Sequence, residues 1–370
     1  MTNKTHLYSE HISLNARMFE FGGYMMPIRY ESAIQEQEWV RKNVGIFDVS
    51  HMGQLTLQGK KAADFLMRLT PSDFSGTPIG RAKYTVLLNK QGGIVDDLIA
   101  TRIADDKFLL VVNATRKQED IKWISNNITN YADAADHLSL RELQDRSLIA
   151  IQGSGSYEVL SHILVGLPNL PYMTLDKFSW RGRDLLISRA GYTGEDGFEV
   201  SIDKEIAVDF WRELMKSQQV KPIGLAARDG LRLEAGYPLF GSDLDETTSP
   251  IEANLGWVVS SKNNQFYGRD RILKEKELGA SRKRVGLELA GRALAKKNYS
   301  IYSKDGISIG KITSGGFSPV VNSAIAQAYV DARYANLGEN ILVEIRGRKV
   351  EAQIHKLSFL KPKTISSKAI

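Results

Sequence analysis

Apolar and polar positions along this chain of 370 residues follow two periods. A period near two marks strands, and a period near 3.6 marks helices. "QLTLQG", "YTVLLN", "GIVDDLIATRI" and "KFLLVVN" read as strands, with the turn "KQGG" joining the second to the third. Between them, "KKAADFLMRLT" places Ala63, Leu66 and Met67 on one helical side, with Leu69 a further candidate. Residues 115–130 predict a second helix, with Ile121, Ile124 and Ile128 on one face. Residues 55–140 therefore read as a mixed module with helices on one side of the strands. Residues 141–259 repeat the mixture, with strands at "RSLIAIQG", "RDLLISRA" and "FEVSI" and helices at "EIAVDFWRELMK" and "GLAARDGLRLEAGY". From about 282 the character changes. "KRVGLEL", "ISIGKITSGG", "AIAQAYV", "ILVEIRG" and "KVEAQIHKL" are short strands between frequent turns, as in a small β-barrel or sandwich. The fold class is α+β.

Length and an apolar share of 42% allow two or three domains with ample core. No apolar run approaches the roughly 18 residues of a membrane span. The opening "MTNKTHLYSEHISL" has no signal or transit pattern, so a cytoplasmic protein is expected. With no cysteine in the chain, disulfides, thiolate metal sites and cysteine nucleophiles are excluded. The six histidines show no ligand spacing, so no metal is expected. "IQGSGSYEVL" imitates a dinucleotide loop, but Glu158 stands where its third glycine belongs. Neither a Walker A sequence nor a G-x-S-x-G elbow occurs, and no nucleotide cofactor is expected. The net charge of +6 is concentrated: residues 261–300 hold eleven Lys or Arg against four Asp or Glu. "SRKRVG" is its densest part, and Arg282, Lys283 and Arg284 are the candidate docking face for an acidic partner. No nucleic-acid-binding motif accompanies the charge.

Three stretches carry candidate chemistry. In "GGIVDDLIA", strand alternation groups Asp96 with Ile94 and Leu98, and Asp97 with Val95 and Ile99. The two carboxylates thus serve different surroundings and are no paired acid/base couple. A carboxylate on an apolar face must find a partner or hold its proton more tightly. In "GYTGEDGFEV", Gly191, Gly194 and Gly197 bend the backbone tightly, and Glu199 projects from a strand opposite Phe198, Val200 and Ile202. In "GLAARDGLRLEAG", Arg228 and Arg232 share a helical face, suited to ion pairing or to a cation aimed into a pocket. His51 in "GIFDVSHMG" reads as a structural histidine.

These stretches, with "RMFEFGGYMMPIRY", "LLVVNA", "GLAARDGLRLEAGYPLFGSDLDE", "SPIEANLGWVV", "ITSGGFSP" and "IAQAYV", run nearly end to end in the order of one family. The sequence closely resembles the aminomethyltransferases, or T-proteins, of the glycine cleavage system. The resemblance implies a three-domain cloverleaf around a central folate site. It divides the chain into a split first domain (1–53 and 141–255), a second domain (54–140) and a C-terminal linker and barrel (256–370). It implies transfer of an aminomethyl carbon from a lipoylated H-protein to tetrahydrofolate, giving 5,10-methylenetetrahydrofolate, ammonia and the reduced lipoyl arm. The P- and L-proteins are implied as functional associates, and a monomer is expected. By the same resemblance Asp96 is the catalytic contact to the folate amines and Asp97 the structural member. Glu199 and Arg228 grip the folate, Tyr84, Asn113 and Tyr192 line the pocket, and Met52 packs on the ligand. Lys296 and Lys297 stand where an arginine is expected, and the tail "KLSFLKPKTISSKAI" lacks the tyrosines of some relatives. The alternative is another folate-dependent demethylase or methyltransferase on the same scaffold. A folate-binding relative in iron–sulfur assembly is disfavoured, because its signature contains a cysteine.

Overall fold

The computed structural model describes residues 2–131, 137–291 and 293–364. The end of the tail, from Ile365, and Arg292 of "AGRALA" lie outside the described residues. A six-stranded sheet has the order Leu175–Trp180, Arg183–Ser188, Gly197–Asp203, Arg146–Gln152, Val44–Asp48, Val220–Pro222. Its strand Val44–Asp48 pairs antiparallel with Arg146–Gln152, about a hundred residues later, and parallel with Val220–Pro222. Both faces are covered. Helices Ser156–Ile163 and Lys204–Leu214 pack on one, around Phe198, Val200, Ile202 and Phe210. Helices Ala33–Lys42 and Leu225–Ala235 cover the other, around Phe47, Ala150 and Leu231. Ser32 caps the first of these, its hydroxyl accepting from Gln35 N at 3.2 Å.

After Asp48 the chain leaves this sheet and builds another before it returns at Arg146. The second sheet has five strands, in the order Ala82–Leu88, Ile94–Ala104, Lys107–Val112, Gly53–Gln58, Ser139–Glu142. Helices Ala62–Leu69 and Lys117–Tyr131 cover one face. The first turns Ala62, Phe65, Leu66, Met67 and Leu69 inward, so that of the predicted stripe only Ala63 stands at the margin. In the second, Ile124 is buried with Ile121 and Ile128 beside it, on the predicted face. The opposite face is covered by the linker, where Leu255, Val258, Val259, Phe266 and Ile272 pack on Val86, Leu88 and Ile94. The linker thus packs on the second sheet before the third unit begins. That unit is a closed six-stranded barrel from Arg282–Leu289 to Arg348–His355, filled by residues such as Leu287, Ile301, Val330 and Val343. No helix among the described residues is long and apolar enough to cross a membrane.

Candidate active site

A cavity of about 1190 Å³ lies where both sheets, helix Leu225–Ala235 and the barrel meet. Its wall includes Tyr84, Asp97, Asn113, Tyr192, Glu199 and Arg228. A smaller cavity of about 630 Å³, between Leu337 and Pro362 at the barrel edge, holds no carboxylate.

Strand pairing decides which aspartate reaches the main cavity. Val86 lies opposite Asp97, Leu87 opposite Asp96 and Tyr84 opposite Ile99. Residues directly opposite share a face. Asp97 therefore points with Tyr84 and Ile99 to the cavity, and Asp96 points with Leu87 under the helices. A β-bulge at Val95 breaks the alternation, leaving Leu88 opposite Ile94. Ile94 consequently packs with Val86 and Leu88, and Val95 packs with Leu87 and Leu98, the reverse of the grouping predicted for those two. The expectation for Asp96 is corrected by the same geometry. Its side chain is wholly enclosed at 0% exposure and does not line the cavity, whereas Asp97, at 9%, does.

The Asp97 carboxylate is held at both oxygens. Tyr84 Oη donates to Oδ2 at 2.9 Å and Asn113 Nδ2 donates to Oδ1 at 2.7 Å. Burial and the neighbouring Asp96 charge push its pKa up to about 7. Tyr84, raised well above the usual tyrosine value by burial and by Asp97, stays a donor. Its ring stacks on Trp257 at 5.5 Å. Asp96 accepts from Asn113 N at 3.1 Å and from Asn113 Nδ2 at 2.9 Å.

Glu199 and Arg228 face the cavity from the six-stranded sheet and its covering helix. Burial raises the Glu199 carboxyl above its usual range, and the Arg228 charge opposes that shift. Arg228 lies over the Tyr192 ring at 5.0 Å and the Phe47 ring at 5.8 Å, and its Nη1 is buried without a hydrogen-bond partner. Arg232, its neighbour one turn on, is spent: it bonds Asp243 at 2.6 Å, Asp229 at 2.8 Å and Ser314 at 2.8 Å. Of the two arginines on that face, Arg228 is the one with donor capacity left. Tyr192 is fixed by a hydrogen bond to Pro238 O and stacks on Tyr237 at 5.7 Å.

Met52 lines the cavity beside His51. Burial holds His51 down at about 4, so the ring is neutral at pH 7, and its Nδ1 has no partner. Sequence reading passed over Phe19, Tyr172, Tyr237, Trp257 and Leu357, which also line the wall. An exposed-reading aromatic in a turn, such as Trp257, was the available signal. The docking face is corrected at Arg284. That side chain is 2% exposed, lines the cavity, and bonds Ala253 O and Gln327 Oε1, each at 2.9 Å. Arg282 is paired with Glu252 at 2.9 Å; Lys283 is exposed at the start of the strand, on the parity of the barrel-filling Val285 and Leu287, while Arg282 and Arg284 share the opposite face. Lys297 reaches the carbonyl of Gly241.

The family described as "GCVT N-terminal domain" matches residues 7–263, and "Glycine cleavage T-protein C-terminal barrel domain" matches residues 282–361. Among curated relatives, an aminomethyltransferase of Thermotoga neapolitana is 42% identical over 361 residues, spanning 96% of this chain and 97% of its own. One of Phocaeicola vulgatus is 40% identical, spanning 97% and 100%. The crystal structure of the glycine cleavage system aminomethyltransferase T from Bartonella henselae superposes with a TM-score of 0.91 at 35% identity, covering 98% and 99% of the two chains.

Proposed function

The chain belongs to the aminomethyltransferase (T-protein) family of the glycine cleavage system, and from that premise we propose that its central cavity moves an aminomethyl carbon from a lipoylated H-protein to tetrahydrofolate. The products are 5,10-methylenetetrahydrofolate, ammonia and the reduced lipoyl arm. The protein acts as a monomer in the cytoplasm, with the P- and L-proteins as its associates in the system. The observation that carries the reading is Asp97. It is a buried carboxylate, clamped by Tyr84 and Asn113, in the same cavity as Glu199 and an arginine with an unused donor.

The cavity fits the proposed ligand on its own terms. A large, flat heteroaromatic with donors and acceptors along its edge needs apolar faces and a few fixed polar groups. Tyr192, Met52 and Trp257 supply the faces, and Glu199 and Arg228 supply the polar groups. Tetrahydrofolate, when bound, supplies the amines that take the carbon. The carbon arrives already activated between sulfur and nitrogen, so this chain needs no nucleophile of its own. What its residues do is orient, exclude water and manage a proton. Asp97, with a proton affinity near neutrality, is matched to that last task. Tyr84 and Asn113 keep its carboxyl aimed into the cavity. Asp97 thus takes the role expected of Asp96.

The test is formation of methylenetetrahydrofolate from aminomethyl-loaded H-protein and tetrahydrofolate. Asp97→Asn should lower kcat by about 10²–10⁴-fold, the usual weight of acid–base catalysis, with folate still bound. Asp96→Asn should lose much less. The opposite ranking would return the role to Asp96. Turnover of a small methylated amine without H-protein would move the protein to the demethylases.

A further inference from the structure

Two buried histidines are used in opposite ways. His11 is held by both ring nitrogens: Nε2 is hydrogen-bonded to Asp48 Oδ2 and Nδ1 to Tyr30 Oη, each at 2.9 Å. His51 is nearly as enclosed, at 4% exposure, yet neither of its ring nitrogens has a hydrogen-bond partner among the described residues. Its ring meets those of Phe21 and Tyr24 edge-on, with centroids at 5.8 and 6.5 Å. Nδ1 is shut in, whereas Nε2 keeps open surface. The open space beside the ring is the central cavity, which His51 lines with Phe19, Phe21, Ile28 and Met52. Burial keeps the ring neutral at pH 7, and a neutral ring carries one N–H. On the enclosed Nδ1 that proton would be a buried donor without an acceptor, the rarer and costlier arrangement. The proton therefore sits on Nε2, as a donor turned toward the cavity.

The turn that carries His51 is fixed on both sides. Ser50 N donates to Asp48 Oδ1 at 2.9 Å, Leu148 N donates to Ser50 Oγ at 3.0 Å, and Met52 N donates to Val49 O at 3.0 Å. The hairpin of strands Arg17–Phe21 and Tyr24–Arg29 sets Phe21 opposite Tyr24, and Lys117 Nζ donates to Tyr24 Oη at 3.1 Å. A donor held in place needs no reorganisation at the moment of reaction, and a neutral imidazole can polarise an acceptor without giving up its proton. We propose that His51 is a substrate-contacting residue of the transfer site, its Nε2–H donating a hydrogen bond to an acceptor on a bound substrate. That acceptor is the carrier's sulfur or a folate carbonyl oxygen. In the transfer the C–S bond breaks with its electron pair left on sulfur. The two folate N–H protons end on that sulfur and on the departing nitrogen, and His51 keeps its own proton throughout. The proposal rests on the reaction given to the cavity above.

The experiment compares full-length wild type, His51→Gln, His51→Asn and His51→Leu. Two quantities are measured: methylenetetrahydrofolate formation with loaded H-protein, and tetrahydrofolate binding without it. The amide nitrogen of glutamine falls near the place of Nε2, and that of asparagine near the place of Nδ1. His51→Gln should therefore keep kcat/KM within about 2-fold, while His51→Asn and His51→Leu lose about 5- to 10-fold, the weight of one hydrogen bond. A loss matched by a weaker tetrahydrofolate Kd assigns the acceptor to folate. A loss in kcat with that Kd unchanged assigns it to the carrier's sulfur. A second readout needs no turnover. In ¹⁵N-histidine spectra at pH 7, the signal missing from His51→Gln should show the proton on Nε2, and that N–H should shift when tetrahydrofolate or loaded H-protein is added. Wild-type activity in His51→Leu, activity kept by asparagine but lost by glutamine, or equal losses in all three variants overturns the proposal. So does a proton found on Nδ1, or an Nε2–H that neither substrate moves. Failure of the underlying reading looks different: wild type itself would then form no methylenetetrahydrofolate from loaded H-protein.

Discussion

Asp97 is held in surroundings that disfavour its charge, which has a consequence for stability. Its folded pKa, about 7, lies above the ordinary aspartate value of 3.8. Stability from this group is complete below pH 3.8 and is lost as pH rises toward 7, at a slope of up to about 1.4 kcal/mol per pH unit. Asp97→Asn should therefore melt higher than wild type at pH 8, with the gap closing near pH 4. An equal melting difference at both pH values would contradict this. Such a gain at the expense of activity is the usual mark of a working site. Arg228 gives a complementary expectation. Its free Nη1 makes Arg228→Ala raise the KM for tetrahydrofolate by about 10- to 100-fold, on the ~1.5–3 kcal/mol of a hydrogen bond to a charged group. Arg228→Lys should recover little, since an ammonium lacks the planar fork. A KM left unchanged by both would take Arg228 out of the binding site. Residue types and spacing pointed to Glu199, Arg228 and the aspartate doublet from the sequence. Which of Arg228 and Arg232 was free did not show there, because Asp243 and Ser314 come from distant parts of the chain.

Two elements carried features that a periodic pattern hides. The bulge at Val95 puts an extra residue into a strand whose alternation otherwise looks regular, so a single unpaired position separates Ile94 from the face of Asp96. Strand and helix identities were legible, because burial at period two or 3.6 leaves a local trace. The bulge left none, since it depends on the partner strand. Helix Leu225–Ala235 shows the reverse case. It ends at Gly236, with φ +80°, and a Cβ there would sit 2.6 Å from the Leu357 carbonyl carbon. Gly236→Ala should cost at least about 1–2 kcal/mol for the left-handed conformation. It should also push Leu357 and Ser358 off the cavity wall, raising KM as well as lowering Tm. A fall in Tm with KM unchanged would mean that the tail does not shape the site. Along Arg282–Leu289, Lys283→Glu should leave Tm within about 1–2 °C, as expected of an exposed surface change. Arg284→Leu strands a buried carbonyl and a buried amide oxygen, and should destabilise by about 1–3 kcal/mol.

All three units contribute to one cavity, and buried hydrogen bonds from charged side chains tie the helix of the first unit to the barrel. Arg232 of the helix meets Ser314 of the barrel, and Glu234 of the same helix accepts from Arg41 and from Ser318. Removing either serine leaves a buried charged group short of a hydrogen bond, so these contacts fix the mutual placement of helix and barrel. The strand Val44–Asp48 has a separate consequence, for the making of the protein. During translation it emerges roughly a hundred residues before its partner Arg146–Gln152, and well before Val220–Pro222. At ~5–20 residues per second, this strand waits for roughly 5–20 s with both edges open, while the five-stranded sheet forms behind it. Once residue 145 has cleared the ribosome, the nascent chain would therefore present the five strands of the second sheet, its linker-covered face still open, beside an apolar, unpaired ribbon of Val44, Ile46 and Phe47. That ribbon is what a holdase chaperone binds, and nascent-chain capture should peak in that window and fade once Gln152 has cleared the exit tunnel.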